Sequence, residues 1–212
     1  MEAFMKDIAN LDNLYATGKI TEEASTKLGQ VFSELGHLAK DTNKLVTNLA
    51  IGAAGVIRIV GKLADEGKTI KNFEIVEYKK AWNERRMDIL TSDGVLYEVK
   101  GWKVDSTAAI ARLGGGLDPT RDKQVSYSNQ LLKDLVSIAK PDSTVVKQWR
   151  FSDEALEASK PAIVAGLHAS ISGGKSELAD KLKSKLGYNK KQFESFLEDD
   201  LQELLETLMK VN

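Results

Sequence analysis

The stretch MDILTSDGVLYEVKGW, Met87 to Trp102, decides how the middle of this chain folds. Two apolar-rich segments flank a turn signal, Asp93-Gly94, and each carries one carboxylate, Asp88 or Glu98. Lys100 follows Glu98 by two residues. A β-hairpin is predicted, and its loop length sets which residues share a face. With a two-residue loop, Asp93-Gly94, Ser92 faces Val95 and Asp88 faces Val99. Residues directly opposite share a face, so Asp88 and Glu98 then point to opposite sides of the sheet. With a three-residue loop, Ser92-Asp93-Gly94, Leu90 faces Leu96, Asp88 faces Glu98 and Arg86 faces Lys100. Gly94 suits the left-handed residue that ends such a loop.

The apolar pattern favours the longer loop, because a slip of one residue flips every side chain. In that register Met87, Ile89, Val95, Tyr97 and Val99 form one uniformly apolar or aromatic face. The other face carries Arg86, Asp88, Leu90, Leu96, Glu98, Lys100 and Trp102. The shorter loop mixes apolar and charged residues on both faces. Facing carboxylates repel, and a bound divalent cation would convert that cost into coordination. Spacing alone leaves a second account open, a solvated cross-strand cluster in which Arg86 and Lys100 neutralise the two acids.

Composition narrows the chemistry. The 212 residues fit one large domain or a compact domain with extensions. At 42% hydrophobic and 29% charged, the chain has the make-up of a folded protein. There are no cysteines, which excludes disulfides, thiolate metal sites and cysteine nucleophiles. Two histidines, His37 and His168, argue against a His-rich zinc site. Any metal is expected on oxygen ligands, which favours magnesium, manganese or calcium.

The net charge of −1 does not advertise nucleic-acid binding. Its distribution is uneven: residues 56–150 hold 17 basic and 13 acidic side chains, while both ends are acidic. A central nucleic-acid site and ordinary surface charge both fit that pattern. No basic-then-apolar N-terminal segment resembles a signal peptide. The longest apolar run, LVTNLAIGAAGVIRIVGKLA, is interrupted by Asn48, Arg58 and Lys62, so a buried helix is expected rather than a membrane span.

Around the hairpin the periodicity changes along the chain. Residues 1–50 read as helices, with Gly18 as a stop and Thr21 as a start. A third helix is expected from Leu45 to Ala64, with glycines at 52, 55 and 61 either allowing close packing or splitting it. From Ile70 the pattern turns to strand. AAIARLGGGLDPTRD reads as a loop, DKQVSYSNQLLKDLVSIAK as a helix, and STVVKQWRF as a fourth strand. Helices follow Ser152, and NKKQFESFLEDDLQELLETLMKV carries one strong apolar stripe. The predicted fold class is α/β (α+β): a small mixed sheet flanked by helices, with helical N-terminal and C-terminal extensions. The expected division is a helical region 1–55, a core 56–151 and a helical extension 152–212. SGGKSE, 172–177, lacks the glycine spacing and the preceding strand of a phosphate loop, so a helix cap is expected there. Trp102 and Trp149 are expected in core packing rather than stacked on bases.

Asp88, the turn, and Glu98-Val99-Lys100 resemble the Asp…Glu-x-Lys core of the PD-(D/E)xK nuclease superfamily. The element order resembles it too: a helix, three antiparallel strands, a helix and a fourth strand over about residues 56–151. Met87 stands where many members have proline. The resemblance implies a magnesium- or manganese-dependent endonuclease that hydrolyses phosphodiester bonds. It implies Asp88 and Glu98 as metal ligands and Lys100 as the group that orients water and stabilises phosphate charge. For a further acidic ligand it offers Glu66, at the end of the third helix, or Glu77 on the first strand. Gln124 resembles the glutamine that many members direct into the site.

GVLYEVKGW between helical flanks is also similar to C-terminal nuclease domains of bacterial polymorphic toxins, including those of contact-dependent growth inhibition. That similarity implies a tRNA or DNA substrate, a cognate immunity protein, and delivery within a larger secreted or surface effector into a target-cell cytoplasm. A restriction- or repair-type DNA nuclease, and an inactive nuclease-like binding module, are the alternatives.

Overall fold

Gly18 takes a left-handed φ of +71° and ends α1 (Glu2–Ala16). The chain then turns so that Lys19 to Thr21 runs beside β1 (Ile70–Val76), with Ile20 and Ile70 forming a parallel bridge. The Ile70 N–H donates to the Lys19 carbonyl at 2.8 Å, and the Thr21 N–H donates to the Ile70 carbonyl at 3.0 Å. The Thr21 hydroxyl accepts from the Ala24 N–H at 3.3 Å, starting α2 (Glu22–Leu38) with a side-chain cap. The computed structural model describes residues 2–38, 44–76, 86–114, 127–140, 143–173 and 177–211.

The architecture is mixed α/β, with a four-stranded mixed sheet flanked by helices and helical N- and C-terminal regions. After α3 (Lys44–Asp65) and β1 come β2 (Arg86–Thr91) and β3 (Val95–Lys100), which form the antiparallel part of the sheet. Strand order is β1-β2-β3-β4, with β4 at Val146–Phe151. Two compact units divide the chain differently from the spans 1–55, 56–151 and 152–212. One holds residues 1–102 with 149–153, and the other holds 103–148 with 154–212. The N-terminal helices share a core with the hairpin.

In the first unit, Leu11 and Leu14 of α1, Ala24 of α2, and Ile59, Val60 and Leu63 of α3 join Ile89, Val95, Tyr97 and Val99 in one buried cluster. The apolar hairpin face is therefore the core face. The longest apolar run is α3, a continuous helix whose residues Ile57 to Ala64 contribute to this core. Gly55 gives it room: a Cβ there would lie 3.3 Å from Ser152 Oγ and 3.4 Å from Gly101 Cα. No helix among the described residues is long and apolar enough to cross a membrane.

The second unit is helical around α7 (Lys160–Ser172), whose Ile163, Val164, Leu167 and Ile171 are buried. α7 packs against α4 (Ser106–Leu113), α10 (Leu201–Met209), α6 (Glu154–Ala158) and α8 (Glu177–Leu186). The helix α4 corrects the expected loop. Asp105 caps it by accepting from the Ala108 N–H at 2.8 Å, and the good helix formers that follow outweigh the nearby glycines. The long C-terminal stripe is two helices, α9 (Lys190–Asp199) and α10, separated at Asp200. An Asn189–Gln192 capping box starts α9. His168 Nε2 lies 3.3 Å from the Leu197 carbonyl, a packing role.

Within this unit Asp134 of α5 (Tyr127–Ile138) and Lys147 of β4 form a buried ion pair at 3.1 Å, with side chains 0% and 1% exposed. Desolvating both charges offsets most of their attraction, but removing one strands the other. Asp134→Ala is expected to cost roughly 3–5 kcal/mol, and Asp134→Leu combined with Lys147→Met to recover most of it. Denaturant unfolding of the three proteins checks this, and a double variant as unstable as the single one would contradict it.

Candidate functional site

The hairpin adopts the three-residue loop. Ile89 pairs with Tyr97 and Leu90 with Leu96. The Gly94 N–H donates to the Thr91 carbonyl at 3.0 Å, and Gly94 has φ +85°. A side chain at that φ is strained, so glycine here fixes the register. Continuing the ladder sets Asp88 across from Glu98, and both share a face with Lys100.

The loop is held by its own charges. Asp93 pairs with Lys68 and accepts from the Thr91 hydroxyl at 2.5 Å. The hydrogen bond from Lys68 holds the Asp93 carboxyl below its ordinary value, with that from Thr91 adding to it. The same bond raises the Lys68 amine. Burial pushes the Tyr97 hydroxyl up.

On the face opposite Tyr97, Asp88 is part-buried and its Oδ2 accepts from the Val99 N–H at 2.6 Å. The Asp88 carboxylate thus reaches across to the backbone of the partner strand, which fixes its orientation. Glu98 and Lys100 are only 4% and 5% exposed and form a direct ion pair. Their burial departs from the solvated cluster that spacing left open. Lys100 Nζ also lies 4.9 Å from the centre of the Trp149 ring. Trp102 and Phe151 continue this row with ring centres 5.9 Å apart. Both tryptophans are core residues, Trp149 at 0% and Trp102 at 7% exposure.

Arg86 reaches toward β1, where its Nη1 lies 3.5 Å from Glu74 Oε2. Continuing the β1–β2 register places Glu74 beside Asp88. Glu74 has φ +50°, an uncommon left-handed value for a non-glycine residue within a strand. Glu66 is engaged elsewhere, in a two-pronged pair with Arg150 at 2.5 and 3.3 Å. Arg150 lies between Trp149 and Phe151, so strand alternation puts it on the face opposite Lys100. The structure therefore brings Asp88, Glu98 and Lys100 together and places Glu66 with Tyr97 and Arg150. Glu77 and Gln124 lie outside the described residues.

The donor set can be tested against the implied metal. Among the described residues no group of three or more acidic, histidine or cysteine side chains is placed to hold an ion. Asp88 and Glu98 are two hard oxygen donors on one face. Magnesium-class ions commonly take one or two carboxylates, the rest of the shell being water and substrate phosphate. Asp88 and Glu98 supply two donors of that kind, with one Glu98 oxygen engaged by Lys100. Sequence reasoning missed Trp149 as a neighbour of Lys100, since an aromatic in a β-branched strand signals packing and nothing about a particular amine. No family model, curated protein or solved structure matches the chain.

The Lys68–Asp93 pair gives the hairpin a pH dependence. Asp93 is lowered, so its stabilisation is present above the ordinary 3.8 and is lost as pH falls through its folded value. Lys68 is raised, so its contribution is present below 10.5 and is lost as pH rises through its folded value. The side chains are 31% and 45% exposed, and solvent screening keeps the pair below about 1 kcal/mol. Asp93→Asn is expected to flatten the acid limb of stability by a few tenths of a kcal/mol. Thermal unfolding between pH 3 and 7 checks it (roughly the carboxylate titration range), and an unchanged acid limb would contradict it.

Proposed function

We propose that the chain is a metal-dependent endonuclease that hydrolyses phosphodiester bonds of tRNA or DNA. The observation that supports this reading is the hairpin register, which gathers two carboxylates and a lysine on one face of the sheet. Asp88 and Glu98 are the residues that would hold a magnesium- or manganese-class ion. Such an ion supplies Lewis-acid polarisation of a phosphate oxygen and a lowered pKa for bound water. Asp88 keeps its orientation through the Val99 N–H. Lys100 offers its ammonium to the attacking water and to the phosphate oxygens as negative charge grows on them, while Glu98 orients the amine. The wider reading is an interbacterial toxin domain, delivered within a larger effector into a target-cell cytoplasm and neutralised by a cognate immunity protein. It rests on the sequence resemblance.

A second reading, an inactive nuclease-like module that only binds nucleic acid, is favoured by the burial of Glu98 and Lys100. Incubation with plasmid DNA and total tRNA, with magnesium and with chelator, separates the two. The nuclease reading expects cleavage of one substrate that chelator stops. Asp88→Asn keeps an oxygen to accept from Val99 and loses the charge, so it is expected to reduce the rate at least about 100-fold, a few kcal/mol of barrier. Cleavage by Asp88→Asn at the wild-type rate would remove Asp88 from the site. Binding of either nucleic acid without cleavage under any divalent ion would establish the module instead.

A further inference from the structure

We infer that Trp149 is a positioning residue for Lys100, with its indole face serving as the seat of the ammonium. The catalytic consequence rests on the proposed nuclease reading; the seat itself does not. Lys100 is 5% exposed, so its long side chain gains little orientation from water and depends on fixed neighbours. On one side stands the Glu98 carboxylate. On another stands the Trp149 ring, its centre 4.9 Å from Nζ, inside the range at which an aromatic face attracts a cation. Tryptophan is the strongest of the aromatic side chains in this role.

The ring is itself immobile. Trp149 is fully buried and is the largest such side chain among the described residues. Its strand is tied to β3 where the Ser152 N–H donates to the Lys100 carbonyl at 3.0 Å. Trp102 and Phe151, with ring centres 5.9 Å apart, extend the same row along both strands. Lys100 is thus held at its backbone and at its amine by the same short segment, Trp149 to Ser152. A carboxylate alone attracts an ammonium from many directions. The flat ring beneath it removes most of them and leaves the amine on Glu98.

Lysine-selective carbon-13 labelling of the full chain tests the seat directly. The ε-methylene protons of Lys100, assigned by their loss in Lys100→Arg, are expected to be displaced upfield by the ring current of Trp149. The displacement is expected to shrink in Trp149→Phe and to vanish in Trp149→Leu. Trp102→Phe perturbs the same aromatic row and keeps the Trp149 ring, and is expected to leave the Lys100 signal in place. In the cleavage assay, Trp149→Leu is expected to lower kcat roughly 3- to 30-fold with KM within about twofold, and Trp149→Phe to recover part of the loss. Trp102→Phe is expected to retain the wild-type kcat. A Lys100 signal at the ordinary lysine position in the wild-type protein would overturn the proposal. So would an unchanged kcat in a folded Trp149→Leu protein, or an equal kcat loss in Trp102→Phe. If the wild-type chain cuts no nucleic acid, the nuclease reading fails, and the Lys100 shift in the wild-type and Trp149→Phe proteins still decides the seat.

Discussion

The left-handed backbone at Gly94 governs which residues of β2 and β3 oppose one another. A three-residue loop places Ile89 against Tyr97 and Leu90 against Leu96. Everything on the two faces follows from that offset. Ile89, Val95, Tyr97 and Val99 enter the core with α3, and the alternating positions carry Asp88, Glu98 and Lys100. A loop shorter by one residue would turn Glu98 toward the helices and Tyr97 and Val99 onto the charged face. Burying an unpaired carboxylate costs several kcal/mol, so the apolar face and the charged face enforce one another.

The charges on the two sides of the sheet have different uses. Around Tyr97 the groups are paired: Glu66 with Arg150, and Lys68 with Asp93. The Arg150 guanidinium takes Glu66 with two parallel bonds, a geometry suited to holding α3 to β4. On the other face Asp88 binds a backbone N–H, and Glu98 holds an amine that also sits on a ring. Two carboxylates and one lysine in line are a costly arrangement for stability alone, and the proposed nuclease reading would give that cost a purpose.

Much of this was legible in the residues, and the limits are physical. The hairpin register could be read because Met87, Ile89, Val95, Tyr97 and Val99 alternate without exception, so only one offset makes a clean face. The buried α3 was legible because Arg58 and Lys62 interrupt its apolar run. The helix α4 was obscured by Gly114, Gly115 and Gly116, which dominate the local pattern although Asp105 and the alanines before them suffice to start a helix. The split of the C-terminal stripe at Asp200 was hidden because apolar spacing continues across it. Glu66 could not be placed from sequence, since its side of the sheet depends on how α3 docks and on where Arg150 points. The Lys100–Trp149 contact depends on the pairing of β3 with β4, and no turn residue between them encodes it.

On the proposed nuclease reading, Asp88 and Glu98, set opposite one another by the loop, act together as one oxygen site. Calorimetric titration of the full chain with manganese tests this most directly. One binding event is expected in the wild-type protein, lost in both Asp88→Asn and Glu98→Gln. Wild-type affinity retained in either variant, each folded by circular dichroism, would contradict it.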